Sequence, residues 1–222
     1  MKKRIIALVA LIMLACAATA EQAAGFEPLC FTLWADSAAG YEWTCEYEDN
    51  GVLAAPLQEI MEQGEGSDYA FNFGVLSAGQ AEIFFNYGLN WEVSVPERSI
   101  ICNVDVDEGG NCSVKRAEVY PDDQMLVFTL PSKPTSGWSW VYQGESEDGG
   151  MVSLVSEDYT PIDTALEGAG GNTVYQMRVE RPGETVLLFN YSNLWEPTAA
   201  AQQSYAVIVT ANEDMEISIS VE

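Results

Sequence analysis

The chain repeats itself, and the repeat constrains the fold more than any other feature. Phe31-Thr32-Leu33 precedes Gly40-Tyr41-Glu42-Trp43, and 97 positions further on Phe128-Thr129-Leu130 precedes Gly137-Trp138-Ser139-Trp140. Phe85-Asn86-Tyr87 with Trp91-Glu92 returns as Phe189-Asn190-Tyr191 with Trp195-Glu196, now 104 positions apart, so the second copy has gained about seven residues between the two blocks. Gly64, Gly66 and Gly79 fall on Gly168, Gly170 and Gly183 at that same offset. Ordered matches with one consistent gap read as a tandem duplication. Each unit must then bury its own core in roughly 100 residues.

The units read as all-β. Gln124–Leu130, Val174–Val179, Thr185–Phe189, Ser204–Thr210 and Glu216–Val221 are short runs rich in β-branched and aromatic residues. In the last of them the apolar residues alternate cleanly, as on a half-buried strand. Arg181-Pro182-Gly183-Glu184 and Asn212-Glu213-Asp214 punctuate them. About seven such strands per copy fit two tandem immunoglobulin-like β-sandwich domains. The expected boundaries are residues 1–20 for a leader, 21–116 for the first domain and 117–222 for the second. No Gly/Ser linker separates the copies, so a fixed relative orientation is expected. The first strand of the first copy would fall on residues 17–23, across the end of the leader. Helix is conceivable only around Pro56–Gln63.

Lys2, Lys3 and Arg4, the apolar run Ile5–Ala15 and the small residues Ala18-Thr19-Ala20 form a signal-peptide pattern. The run is short for a membrane span. Met13-Leu14-Ala15-Cys16 resembles a lipobox, which makes Cys16 a lipid-anchor candidate, although simple cleavage fits better. A secreted or cell-surface location follows. The net charge is −25, and removal of the leader leaves six basic residues against 34 acidic ones. Such a charge repels nucleic acid and anionic membranes. Four cysteines remain after the leader. Cys30 and Cys45 are equidistant from a turn near Ser37, and Cys102 and Cys112 from one near Asp107. Export and symmetry predict the disulfides Cys30–Cys45 and Cys102–Cys112.

Histidine is absent. Ser-His-Asp and Cys-His catalysis and every histidine-bearing metal site go with it, and no cofactor motif is visible. Asp105–Asn111 carries oxygen ligands at alternate positions, but between two strands an acidic hairpin turn is the simpler reading. Asn111-Cys112-Ser113 and Asn190-Tyr191-Ser192 are sequons in or beside strands. No pair of carboxylates stands out, and an enzyme is disfavoured.

The most informative loop is Leu130-Pro131-Ser132-Lys133-Pro134-Thr135-Ser136-Gly137-Trp138-Ser139-Trp140. Pro134 fixes one backbone angle, Gly137 permits a conformation closed to other residues, and Thr135 and Ser136 are placed to bond back to the backbone. A rigid loop of small residues ending in tryptophan suits docking better than chemistry. With Gly168-Ala169-Gly170-Gly171 and Asn193-Leu194-Trp195 it forms an ordered set. That set resembles the chagasin-type inhibitors of papain-like cysteine proteases, over about residues 117–222.

Three loops at one end of an immunoglobulin-like sandwich define that family. The first carries Asn-Pro-Thr-Thr-Gly-aromatic, here with Lys133 in place of Asn. The second carries Gly-x-Gly-Gly, matched in full. The third carries Arg-Pro-aromatic, of which only Trp195 is kept. The resemblance implies a cleft plug: the second loop spans the catalytic cysteine, while Lys133–Trp138 and Asn193–Trp195 grip the flanks. The first copy departs further. Ala35–Tyr41 lacks the proline and the threonine pair, Gly64-Glu65-Gly66-Ser67 carries a charge, and Asn90-Trp91 keeps only the aromatic. It reads as a structural or divergent-binding copy. The competing reading is an adhesion or scaffolding protein that reuses the sandwich without inhibition.

Overall fold

The computed structural model describes residues 26–48, 50–91, 96–146, 150–162, 170–196 and 198–221. The leader, Cys16 and the expected strand at 17–23 lie outside them. Fourteen strands and three short 3₁₀ turns account for the described secondary structure. The first seven strands are β1 (Leu29–Ala35), β2 (Tyr41–Tyr47), β3 (Leu57–Gln63), β4 (Gly66–Phe73), β5 (Gly79–Leu89), β6 (Arg98–Val106) and β7 (Cys112–Tyr120). The second seven are β8 (Met125–Ser132), β9 (Trp138–Glu145), β10 (Val152–Pro161), β11 (Gly171–Val179), β12 (Gly183–Asn193), β13 (Gln203–Ala211) and β14 (Ile217–Val221). Within the stretch Pro56–Gln63, Leu57–Gln63 is thus strand, not helix: it pairs residue by residue with β4, and tertiary pairing overrides a weak local helical preference.

The strands form a three-stranded sheet β1-β4-β3, a seven-stranded sheet β10-β11-β8-β7-β6-β5-β2 and a four-stranded sheet β14-β13-β12-β9. The long sheet belongs to both halves, and β7 is where they join. It pairs along its length with β6, Val106 facing Cys112 and Ser99 facing Val119. Its last five residues also pair with β8, from Arg116 opposite Thr129 to Tyr120 opposite Met125. The expected boundary at residue 116/117 falls inside this one strand.

Side chains alternate across a sheet, and here the alternation separates two cores. Ile100, Cys102, Val104 and Val114 point to one face, where they join Phe31, Phe71, Phe73 and Phe85. Ala117, Val119, Leu126 and Phe128 point to the other, where they join Tyr175, Phe189, Tyr205 and Val207. The first lobe therefore packs on one face of the shared sheet and the second lobe on the opposite face. Each large apolar side chain buried in this way contributes about 1.5–3 kcal/mol.

A buried ionic cluster lies on the first lobe's side of β7. Arg98 and Arg116 both pair with Glu118, and Tyr120 donates its hydroxyl to the same carboxylate at 2.6 Å. Burial alone would raise the Glu118 pKa, but the two guanidiniums and the hydrogen bonds outweigh it and hold the carboxyl below its usual range.

The expected disulfides are absent. Cys45, Cys102 and Cys112 are free thiols, so neither expected pairing is made. The register explains both failures. β1 and β2 lie in different sheets. Cys30 alternates with the buried Leu29 and Phe31 and so faces outward, whereas Cys45 packs against the core. In the β6–β7 hairpin Cys102 faces Arg116 and Cys112 faces Val106. The hairpin therefore turns two residues later than the cysteine symmetry implies, which leaves the two cysteines four residues out of register, about 13 Å apart along the strands and beyond disulfide reach. Asp107 closes that turn by accepting from the Gly109 and Asn111 amides at 2.8 and 2.9 Å. Among the described residues no cluster of metal-ligating side chains occurs.

Candidate functional site

Three connections meet at one end of the second lobe: β8–β9, β10–β11 and β12–β13. In the first, Pro134–Ser136 form a 3₁₀ turn that Lys133 enters and Gly137 leaves, with Gly137 at φ 83° in the left-handed region. The turn is tied by Ser136 N–H to Lys133 O and Gly137 N–H to Pro134 O, both 2.9 Å. The Ser136 hydroxyl donates to Lys133 O at 2.8 Å, and the Lys133 amide donates to Trp138 O at 2.9 Å. Thr135 is exposed at the crown.

The third connection is built onto the first. The Leu194 amide donates to Gly137 O at 2.6 Å. Asn193 Oδ1 accepts from the Trp195 amide at 2.9 Å, which lays the indole over Gly137. A Cβ at Gly137 would stand 2.7 Å from Trp195 Cδ2 and 2.8 Å from Asn193 Oδ1. Glycine is thus required twice, for its backbone angle and for the ring above it. Trp195 is nonetheless 68% exposed and Leu194 49%. An exposed indole seated on Gly137 beside an exposed leucine has the form of a docking anchor.

The glycine connection divides. Gly168 and Ala169 lie outside the described residues. Gly170 has φ 46°, and an added Cβ would come no closer than 3.3 Å to Ser132 O. Gly171 is a strand residue between Ser132 and Pro161. A Cβ there would meet Thr160 O at 2.4 Å, so its glycine serves sheet packing. Ile162 N–H to Gly170 O, at 3.2 Å, closes the base of the loop.

Some supporting residues escaped the sequence reading. Tyr191 stacks on Trp138 at 5.6 Å and 26° and also meets Trp140 at 5.4 Å. Its recurrence in the Phe-Asn-Tyr block was the available signal. Behind the first loop, Thr173 Oγ1 bonds Ser132 Oγ at 2.7 Å and Ser139 Oγ at 3.2 Å, so buried hydroxyls knit β8, β9 and β11 together. Trp140 Nε1 donates to Pro131 O at 3.0 Å. Beyond Thr129 the β7–β8 pairing stops. The strands diverge into a groove of about 320 Å³ lined by Ser113, Lys115, Lys133, Trp140 and Gly170.

Residues 121–209 match the family model described as chagasin family peptidase inhibitor I42. The matched stretch lies within the second lobe. Chagasin from Trypanosoma cruzi is 28% identical over 91 residues, a stretch that covers 40% of this chain and 83% of chagasin. The solved cysteine protease inhibitor EhICP2 from Entamoeba histolytica aligns with a TM-score of 0.35 and 21% identity, covering 37% of this chain and 81% of that one. The matched residues include all three loops of the expected binding set.

The first lobe repeats part of this geometry. Ser37–Ala39 form a 3₁₀ turn that ends at Gly40, φ 88°, and the Asp36 carboxylate caps it by accepting from the Ala39 amide. The Asn90 amide donates to Gly40 O at 3.1 Å. Trp91 covers Gly40 so closely that a Cβ there would sit 1.9 Å from its ring. The turn thus closes without the proline and threonine of the second lobe. The β3–β4 connection differs: Ser67 faces both Ala35 and Glu62, as Gly171 faces Ser132 and Pro161. Only residues 63–66 lie between the first pair of ends, against 162–170 between the second.

Proposed function

We propose that the protein is an exported inhibitor of papain-like cysteine peptidases, built from two copies of one sandwich, in which the second lobe blocks the active-site cleft with three loops. The observation that carries this reading is the seating of Trp195 on Gly137, which locks the first and third loops into one rigid, solvent-exposed wedge beside Gly170. Rigid loops lose little conformational entropy on docking. An exposed indole and leucine supply apolar anchors, and the glycines admit close backbone approach. In this reading Lys133–Trp138 and Asn193–Trp195 grip the cleft walls, and the Gly168–Gly171 loop lies across the catalytic cysteine. Leu194 takes over the contact that an Arg-Pro pair makes in the family pattern. The leader and Cys16 bear on export and anchoring, which the mature N-terminus of the secreted protein would establish.

The test is titration of papain with the purified chain. One equivalent of inhibitor per enzyme, with tight reversible inhibition, is expected. A folded protein that leaves papain active at micromolar concentration would overturn the proposal.

A further inference from the structure

The shared sheet sets the direction of the two loop ends. β7 runs antiparallel to β6 and to β8. The first lobe's loop end contains the C-terminus of β1, the start of β2 and the end of β5, so it lies level with the start of β6, the end of β7 and the start of β8. The second lobe's loop end lies at the other end of β8, level with the start of β7. The two loop clusters thus face opposite ways, separated by roughly 30 Å of β-strand. They cannot enter one cleft together.

The first lobe's end is a formed surface. Trp91 is 68% exposed, matching Trp195, and is seated in the same way on a left-handed glycine. Two features set it apart. Its β3–β4 tip is too short to reach into a deep cleft, and it carries the exposed Glu65. Its charge is negative throughout: Asp36, Glu65, Glu97, Asp122 and Asp123 occupy this end, while Arg98 is consumed by Glu118.

Building on the inhibitor reading above, we infer that the first lobe's loop end is a second docking surface. It holds a second, basic papain-like peptidase at the rim of its cleft without closing that cleft. One chain then binds two enzyme molecules and inhibits one. Trp91 is the apolar anchor, and the acidic residues supply a complement that salt screens.

The experiment uses the full chain with excess papain, chosen for its basic charge. Light scattering coupled to gel filtration counts bound enzyme, and activity titration counts inhibited enzyme. Two bound and one inhibited are expected at low salt, with the second equivalent lost at 0.5 M NaCl (roughly a 4 Å screening length). Trp91→Ala, which removes an exposed ring and leaves the core intact, should weaken the second binding event at least about tenfold and leave inhibition unchanged. Glu65→Lys should weaken it as well. A stoichiometry of one at saturation with inhibition intact overturns the inference and spares the inhibitor reading. Two bound and two inhibited, or two bound in both variants, also overturns it. Loss of all inhibition by the wild-type chain overturns the inhibitor reading itself.

Discussion

Gly137→Ala separates the conformational role of one glycine from its role as the seat of an anchor. The residue sits at φ 83°, and its new methyl would stand 2.7 and 2.8 Å from two carbons of Trp195. Ordinary carbon contacts begin near 3.5 Å, so the indole must retreat by roughly 1 Å or swing away. Because the ring is mostly exposed, that movement costs little fold stability. The stability loss is therefore mainly left-handed strain, about 1–2 kcal/mol. Gly150→Ala is the matched control: it has φ 84° and nothing within 4 Å of the added carbon. Both variants should melt lower by a similar amount, about 4–8 °C per kcal/mol for a domain of this size. Inhibition should part them. Losing a preset aromatic anchor is worth about 2 kcal/mol or more, or about 30-fold in the inhibition constant, whereas Gly150→Ala should stay within about twofold. Progress curves against papain, alongside thermal melts, give both numbers. Equal inhibition constants for the two variants, with both folded, would refute the claim that the Trp195 seat is part of the binding surface.

Glu118 should control acid stability. Its folded pKa is depressed, so its stabilisation is complete above the ordinary carboxylate value, about 4.3, and is lost as pH falls through the lower folded value. Glu118→Gln should cost about 3–5 kcal/mol at pH 7 by stranding two guanidiniums, and should flatten the acid limb of a stability profile measured by urea unfolding from pH 7 to 2. Cys45 and Cys102 have thiols pushed up to about 12 by burial, so they should react slowly with Ellman's reagent in the native protein. After denaturation without reductant, peptide mapping should find Cys45, Cys102 and Cys112 labelled; a Cys102–Cys112 disulfide peptide would contradict the register. Tyr191→Leu removes the ring beneath Trp138 and Trp140, which should lower stability by about 1–3 kcal/mol and weaken inhibition; unchanged inhibition would mean that the platform does not orient the first loop.

The strands and the turn at Pro134–Gly137 were legible in the sequence because each depends on local pattern. Alternation along Ile217–Val221 reports a half-buried strand wherever its neighbours lie. Pro134 and Gly137 specify a 3₁₀ turn with a left-handed exit from their own chemistry. What depends on partners was not legible. Residues 112–120 do not disclose that they are paired on both sides, so the common sheet and the opposed loop ends emerge only from the register. The cysteine symmetry failed for the same reason: a hairpin's centre is set by its turn hydrogen bonds, here Asp107 with Gly109 and Asn111, and two residues of slip carry Cys112 away from Cys102. The motif places Gly171 in the loop, yet it faces Thr160 O inside a sheet. Substituting it would disturb the fold, and Gly170 is the cleaner probe.

The central claim is that the second lobe covers the catalytic cysteine of its target. Its most direct test is the rate at which iodoacetamide alkylates that cysteine in papain saturated with the chain. Burial of the thiolate under the glycine loop should slow alkylation to the rate set by dissociation of the complex, and Trp195→Ala should restore much of the free-enzyme rate at the same concentrations. Alkylation at the free-enzyme rate, with the complex demonstrably intact, would contradict the account.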